Sequence, residues 1–389
     1  MKRRLNLSLR LPLFSIRPQA KRCSLKLLLT ITVAFCVPGT ARASGNVLIS
    51  EFRFRGADGP DDEFVELYNN TDASIVVATT DGSAGWALVA SDGVTRFVIP
   101  NGTVIPPRAH YLATNLGYSL DAYGGGAAGD ISYATGIPDG AGIALFPTAA
   151  PANFSLTTRL DAVGFSAAPA LYREGSGLPG SDAFTSEHSF YRNLAAGGLP
   201  QDSDDNSADF LGVDTRATPI STGQRLGAPG PENLSSPVQR NAQFTLALLD
   251  PGVCQACPPN RERDSTSPSG VFGALIIRRT LTNLTGRSVN RVRFRIVNIT
   301  TFPPPTPDTA DLRALTSGDT SVTLSNGTTV DVHGTILEQP PFQDFGGGWN
   351  SSLTFLPQGL APGASINVQF VLAVQQTGSF RFFVNIESD

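Results

Sequence analysis

The sequence predicts an all-β protein, two immunoglobulin-like β-sandwich domains behind a cleaved signal peptide. Three observations predict it. Short stretches alternate apolar and polar residues, the period of a strand with one buried face. Turn formers punctuate them, with 39 Gly and 29 Pro in 389 residues. Charged residues make up only 16% of the chain. Low charge with many β-branched residues favours packed sheets over disorder. No long amphipathic helix is evident, and the length suits two or three domains with cores of their own.

The first element is a processing segment. Lys2, Arg3, Arg4, Arg10, Arg17, Lys21, Arg22 and Lys26 form a basic region without an acid. Leu27 to Val37 is an apolar run of 11 residues, ended by Pro38-Gly39. Ala41-Arg42-Ala43 then supplies a small-x-small cleavage pattern. The run is too short to span a bilayer, which needs about 20 apolar residues. The expectation is a signal peptide over 1–43 and a secreted or cell-surface product, with no transmembrane segment after cleavage. Loss of this segment removes every lysine. The remainder keeps 20 arginines against 33 acids, a formal charge of −13. Residues 46–232 carry all of that excess, with 22 acids and nine arginines. An acidic surface of this kind excludes bulk nucleic-acid binding, which requires a cationic face.

The first domain is expected over residues 46–232. Residues 47–54 (VLISEFRF) alternate as a strand, with Phe52 and Phe54 on one face and Glu51 and Arg53 on the other. An acidic turn, Asp58 to Asp62, leads to a second strand from Glu63 to Tyr68. Further strands follow at Ile75 to Val77, Trp86 to Val89, Thr95 to Ile99 and His110 to Thr114. Leu116 to Gly136 reads as an inserted surface loop, and Ile143 to Phe146 and Leu160 to Phe165 close the sandwich. Strand signals thin out over 166–232, which reads as a loop-rich tail.

This order of strand, acidic turn, strand and a Gly85-Trp86-anchored strand resembles the lamin tail domain, most closely over 47–165. The resemblance implies an immunoglobulin-like sandwich with Trp86 as a core residue. Ser189 to Arg192 and Asp202 to Phe210 are similar to the tail of some bacterial members. It implies no molecular activity, because one sandwich fold hosts many functions.

Leu226 to Val238 (LGAPGPENLSSPV) is rich in Pro, Gly and Ser and reads as a linker. A second sandwich is expected over 233–389, with strands at 244–249, 272–281, 289–299, 329–337, 352–355, 366–374 and 380–386.

Several residue groups carry possible chemistry. Asp202, Asp204, Asn206 and Asp209 present oxygens on a short loop, the donor set calcium prefers. The alternative is a solvated turn with Phe210 plugging the core. The cluster Asp58, Asp61, Asp62 and Glu63 could also suit a cation, against a plain turn between core strands. Cys254 and Cys257 have redox spacing, but Pro251 and Pro258-Pro259 flank them where a redox site needs a helix. Zinc would need a second ligand pair. A disulfide across a small loop is the expected state. Arg291, Arg293 and Arg295 alternate with Val292, Phe294 and Ile296, which puts the arginines on one face of a strand. That stripe would meet an anionic polymer or the acidic first domain; otherwise it is an ordinary solvent-facing sheet. Trp349 beside Gly346 to Gly348 is either a core anchor or an exposed sugar platform.

Catalytic signatures are missing. His110, His188 and His333 belong to no recognised constellation, and His110 is expected at a strand's surface or edge. No nucleophile elbow, zinc-protease helix or phosphate loop is found. The chain therefore reads as an exported non-enzymatic protein that binds or scaffolds a protein or extracellular polymer partner. The alternatives are an accessory module of an extracellular hydrolase such as a nuclease, and a metal-dependent hydrolase acting through 202–209. No cofactor is expected other than calcium.

Overall fold

A computed structural model describes residues 45–122, 127–195, 197–216, 225–303, 306–340 and 346–389. The segment 1–43, expected to be a signal peptide, and the glycines 124–126 lie outside the described residues. No helix among the described residues is long and apolar enough to cross a membrane. Residues 43–389 form one compact unit.

Within it the strands build four principal sheets. The first has seven strands in the order Arg225–Leu226, Phe210–Asp214, His188–Arg192, Val47–Arg53, Phe64–Asn69, His110–Asn115, Ile131–Tyr133. The second has four: Asp161–Gly164, Gly142–Phe146, Gly85–Ala90, Thr95–Pro100. These two enclose a core that includes Phe52, Phe54, Leu67, Trp86, Ile99, Ile143 and Phe190. The third sheet runs Val238–Gln239, Phe382–Ser388, Val292–Ile299, Ser352–Phe355, Ile336–Glu338. The fourth runs Phe244–Leu248, Ala274–Asn283, Ser365–Gln376, Asp311–Leu315, with Arg261–Asp264 also paired to Ala274–Asn283. Val292, Phe294, Leu312, Phe370 and Leu372 are in the core between them.

Strand Val47–Arg53 shows how the pattern is realised. Ile49 pairs with Leu67, but Glu51 pairs with Glu66, so Ser50 is an extra residue, a β-bulge. The bulge changes the parity of the strand. Val47 and Ile49 before it, and Phe52 and Phe54 after it, all reach the same core. Glu51 and Arg53 turn to the other face. Gly85 is required where it stands: a Cβ there would lie 1.9 Å from the Ile99 carbonyl oxygen, and its φ is +156°. The close approach seats Trp86, whose Nε1 donates to Ala78 O at 2.9 Å.

Four expectations change. The tail 166–232 is not loop-rich throughout, because His188–Arg192 and Phe210–Asp214 extend the first sheet by direct pairing. The run 329–337 is two strands in different sheets, Thr329–Val332 and Ile336–Glu338. The chain turns between them at Gly334, where a Cβ would meet Ser317 O at 2.1 Å. Part of the inserted loop, Ile131–Tyr133, is an edge strand parallel to His110–Asn115. Finally, the Pro/Gly stretch after Leu226 is no free linker. Gly227, Ala228 and Glu232 are buried, and Ala228 N donates to Trp349 O at 2.9 Å.

Candidate functional site

The densest cluster of ionisable groups lies where the outer face of the first sheet meets that of the third. From the first sheet, the bulge aims Glu51 outward and the strand alternation aims Glu66, Tyr68 and His110 the same way, since Val65, Leu67 and Tyr111 point into the core. From the third sheet, Val292, Phe294 and Ile296 face inward, so Arg293 and Arg295 face the first sheet. Glu387 stands beside Arg293 in the register. The stretch after Leu226 passes between the sheets and inserts Glu232.

The partners are specific. Arg295 Nη2 lies 2.9 Å from Glu232 Oε2 and its Nε donates to Glu387 Oε1 at 3.0 Å. Its Nη1 donates to Asn350 Oδ1 at 2.6 Å. Arg293 pairs with the other Glu232 oxygen. His110 bridges two acids, with Nδ1 3.0 Å from Glu66 Oε1 and Nε2 3.0 Å from Glu232 Oε2. Asn350 Nδ2 donates to Glu51 Oε2 at 3.2 Å, and Gly230 N to Glu51 Oε1 at 3.0 Å. Glu232 N donates to Glu66 Oε2 at 2.6 Å. Glu51, Glu66, Glu232, Arg293, Arg295 and Glu387 are all at most 4% exposed.

Burial governs the protonation of this seam. Loss of water pushes the Glu51 carboxyl up to about 7, helped by Glu66 directly opposite. Burial also lifts Glu387 to about 7, against the pull of Arg295 and with a push from Glu232. Burial disfavours a charged His110, but Glu66 and Glu232 outweigh it and raise the imidazole to about 9. Glu232 is held low despite burial, because Arg295, His110 and Arg293 surround it.

These states limit the chemistry. An imidazole protonated to about pH 9 cannot act as a base near neutrality. The space that Glu51, Glu66, His110 and Arg295 help to line is about 30 Å³, far below the several hundred a substrate pocket occupies. Glu66, His110 and Glu232 come close enough to hold a metal ion. However, Arg293 and Arg295 already supply cations to Glu232, and Ser50 Oγ and Glu232 N occupy Glu66. The arrangement joins two sandwiches.

Other candidate residues take different places. Arg293 and Arg295 do not form an exposed stripe: the acids of the seam cover them, and Arg291 pairs at 3.2 Å with Glu338 at its rim. His110 is in this seam, not at a free edge. Of the set Asp202, Asp204, Asn206 and Asp209, Asp202 and Asp209 meet at one arginine, and Asn206 is taken up elsewhere. Asn206 is buried and its amide is consumed, accepting from Gly164 N and Glu174 N and donating to Ala162 O. Asp209 accepts from Ser203 N and Oγ and from Gln201 Nε2. The cation in this region is Arg192, whose Nη1 lies 3.7 Å from Asp202 and 3.6 Å from Asp209. Asp204 is exposed, with a left-handed φ of +57°, and is near enough to Asp202 to help burial raise its carboxyl. Asp202 also approaches Asp161 and Glu174. There Arg192 Nη2 lies 2.8 Å from Asp161 Oδ2, and Arg159 pairs with Glu174 at 3.0 Å.

The acidic turn also divides. Asp62 is buried against Arg53, while Glu63 accepts from Ile137 N at 2.6 Å and Asn115 Nδ2 at 3.1 Å. Cys254 and Cys257 form a disulfide. Trp349 is partly buried against the second core, the anchoring alternative. His188 is buried and bonded to Asp182 at 2.5 Å, and His333 pairs with Asp319 at the surface.

Sequence reasoning missed Glu51, Glu66, Glu232 and Glu387. Their only signal is period-two placement on apolar strands, which a solvent-facing sheet shares. No curated protein and no solved structure matches the chain. A family model described as Lamin Tail Domain matches residues 40–149, and the described strands of that segment pack as an immunoglobulin-like sheet pair.

Proposed function

We propose that the chain is an exported, non-enzymatic protein whose two joined sandwiches bind or scaffold a protein or polymer partner outside the cytoplasm. The observation that carries this reading is the use of its ionisable side chains. Glu51, Glu66, Glu232, Glu387, Arg293, Arg295 and His110 are closed into the seam between the sandwiches. The space that most of them help to line is about 30 Å³. What remains for a partner is the outer surface of a preformed two-lobed body, and preformed surfaces bind at low ordering cost. Export is supported by the basic segment, apolar run and Ala41-Arg42-Ala43 pattern.

The test uses the purified protein in two assays. Saturable binding to envelope or matrix polymer, with no turnover across a hydrolase substrate panel including nucleic acids and calcium, is the expected result. Sustained hydrolysis that Asp204→Ala abolishes would overturn the reading and restore the metal-dependent alternative.

A further inference from the structure

A second feature lies at the rim of the same seam. A groove of about 760 Å³ opens between the two sandwiches, lined by Asp72 and Arg108 from the first and by Arg240, Gln243 and Arg287 from the second. Its size is that of a small-molecule site. Its charge is the reverse of the chain's. Arg240 is half-buried and Arg287 exposed, and neither has an acid partner among the described residues. They are close enough that Arg287, after burial, lowers the Arg240 guanidinium below its ordinary value. In a half-molecule with balanced charge, two neighbouring arginines without an acid between them form a cationic spot awaiting an anion.

Arg108 forms the opposite wall. It is a non-glycine residue at φ +59°, a conformation that costs about 1 kcal/mol or more and persists where the surroundings impose it. Its Nε donates to Asp72 and its Nη1 to Asn70 O, so it is held in place. Gln243 adds an exposed amide, which both donates and accepts as sugar hydroxyls do. No aromatic side chain lines the groove, so nothing there would stack a nucleobase.

We propose that this groove binds an acidic saccharide, with the carboxylate or sulfate held by Arg240 and Arg287 and the hydroxyls met by Gln243 and the opposite wall. The proposal deepens the binding reading above and rests on it, since it names the ligand class of a non-enzymatic partner site.

The experiment is calorimetric titration of the purified protein with three probes: a galacturonate trisaccharide, a sulfated disaccharide, and a neutral galactose trisaccharide of matched size. Either or both acidic probes are expected to bind, which identifies carboxylate or sulfate as the anion, with affinity falling as salt rises. The neutral probe is expected to bind at least about tenfold more weakly. Arg240→Ala with Arg287→Ala is expected to abolish acidic-probe binding without moving the melting temperature, and Gln243→Ala to weaken it. Equal binding of the neutral probe, no binding of either acidic probe at millimolar concentration in low salt, or full binding by the double variant would each overturn the proposal. If envelope binding then persists in the double variant, the broader binding reading stands without this site. If an acidic probe is bound and hydrolysed, the site stands and the non-enzymatic reading falls.

Discussion

Arg295 shows how much of the joint rests on single residues. Its guanidinium reaches Glu232, Glu387 and Asn350 at once, and it is 4% exposed. Removing one member of a buried ion network strands its partners without counter-charge, which costs about 3–5 kcal/mol. Arg295→Ala is therefore expected to lower unfolding stability by that amount in urea titration. Arg295→Lys should fall between, because one ammonium cannot reproduce the forked geometry. The region 202–209 separates by residue in the same way. Asn206→Ala removes three buried bonds and is expected to cost at least about 2 kcal/mol. Asp204→Gly relieves a left-handed residue at the surface and should leave the melting temperature unchanged or raise it. If Asp204→Gly proves the more damaging of the two, the assignment of Asn206 as the structural member is wrong.

Among elements, the strand Val47–Arg53 is the most informative. The alternation of 47–54 was legible, and so was its pairing with 64–69. The bulge at Ser50 was not, because Leu48 is apolar too and blurs the change from odd to even core positions that an extra residue leaves. Only the partner register reveals it. Deleting Ser50 would remove the extra residue and leave Val47, Ile49, Phe52 and Phe54 alternating regularly onto one face. An apolar side chain turned out of the core would give up about 1.5–3 kcal/mol of burial, and this deletion turns out none. The deletion is expected to keep the cooperative melt and the near-ultraviolet signal of Trp86, losing only the Ser50 hydroxyl's bond to Glu66; loss of the cooperative melt would refute the parity argument. The strands His188–Arg192 and Phe210–Asp214 were missed for another reason. They are short and carry His, Ser, Arg and Gly, and they become strands because a central sheet offers them an edge to pair with.

The whole molecule should respond to pH in one direction. Glu51, Glu63 and Glu387 are raised to about 7, chiefly by burial. Burial lifts Glu174 to about 9, and Glu66 and Glu232 lift His110 to about 9 against its burial. Their ordinary values are 4.5 for the carboxyls and 6.5 for the imidazole. Raised groups bind protons more tightly when folded, so their stabilisation is full below the ordinary value and lost as pH passes the folded one. Glu232 works oppositely, contributing above 4.5 and losing that contribution in acid. Thermal melting is thus expected to be highest in mildly acidic buffer and to decline from about pH 5 to about pH 9. A melting temperature that rises over that interval would contradict the buried seam. This scale was the least legible in the sequence. Each sandwich could be read from its strands, and the Pro/Gly stretch between them suggested independence. The arginine stripe could be read as facing an anionic polymer, the acidic first domain or water, and its pattern could not choose, because a polar strand face looks the same whether water or another sheet covers it.

The β-bulge and the alternating strands leave the two halves meeting through charges, and this makes the joint a keyed coupling. Apolar faces tolerate sliding, since one methyl serves nearly as well as its neighbour. Here a shift of one strand spacing, about 4.8 Å, would take Arg295 from Glu232 and His110 from between its two acids. Buried charges would then face no counter-ion, so a single alignment of the lobes is favoured over its neighbours. The distance and angle between any two binding surfaces on opposite lobes are then fixed in advance, as on a ruler with two marked points.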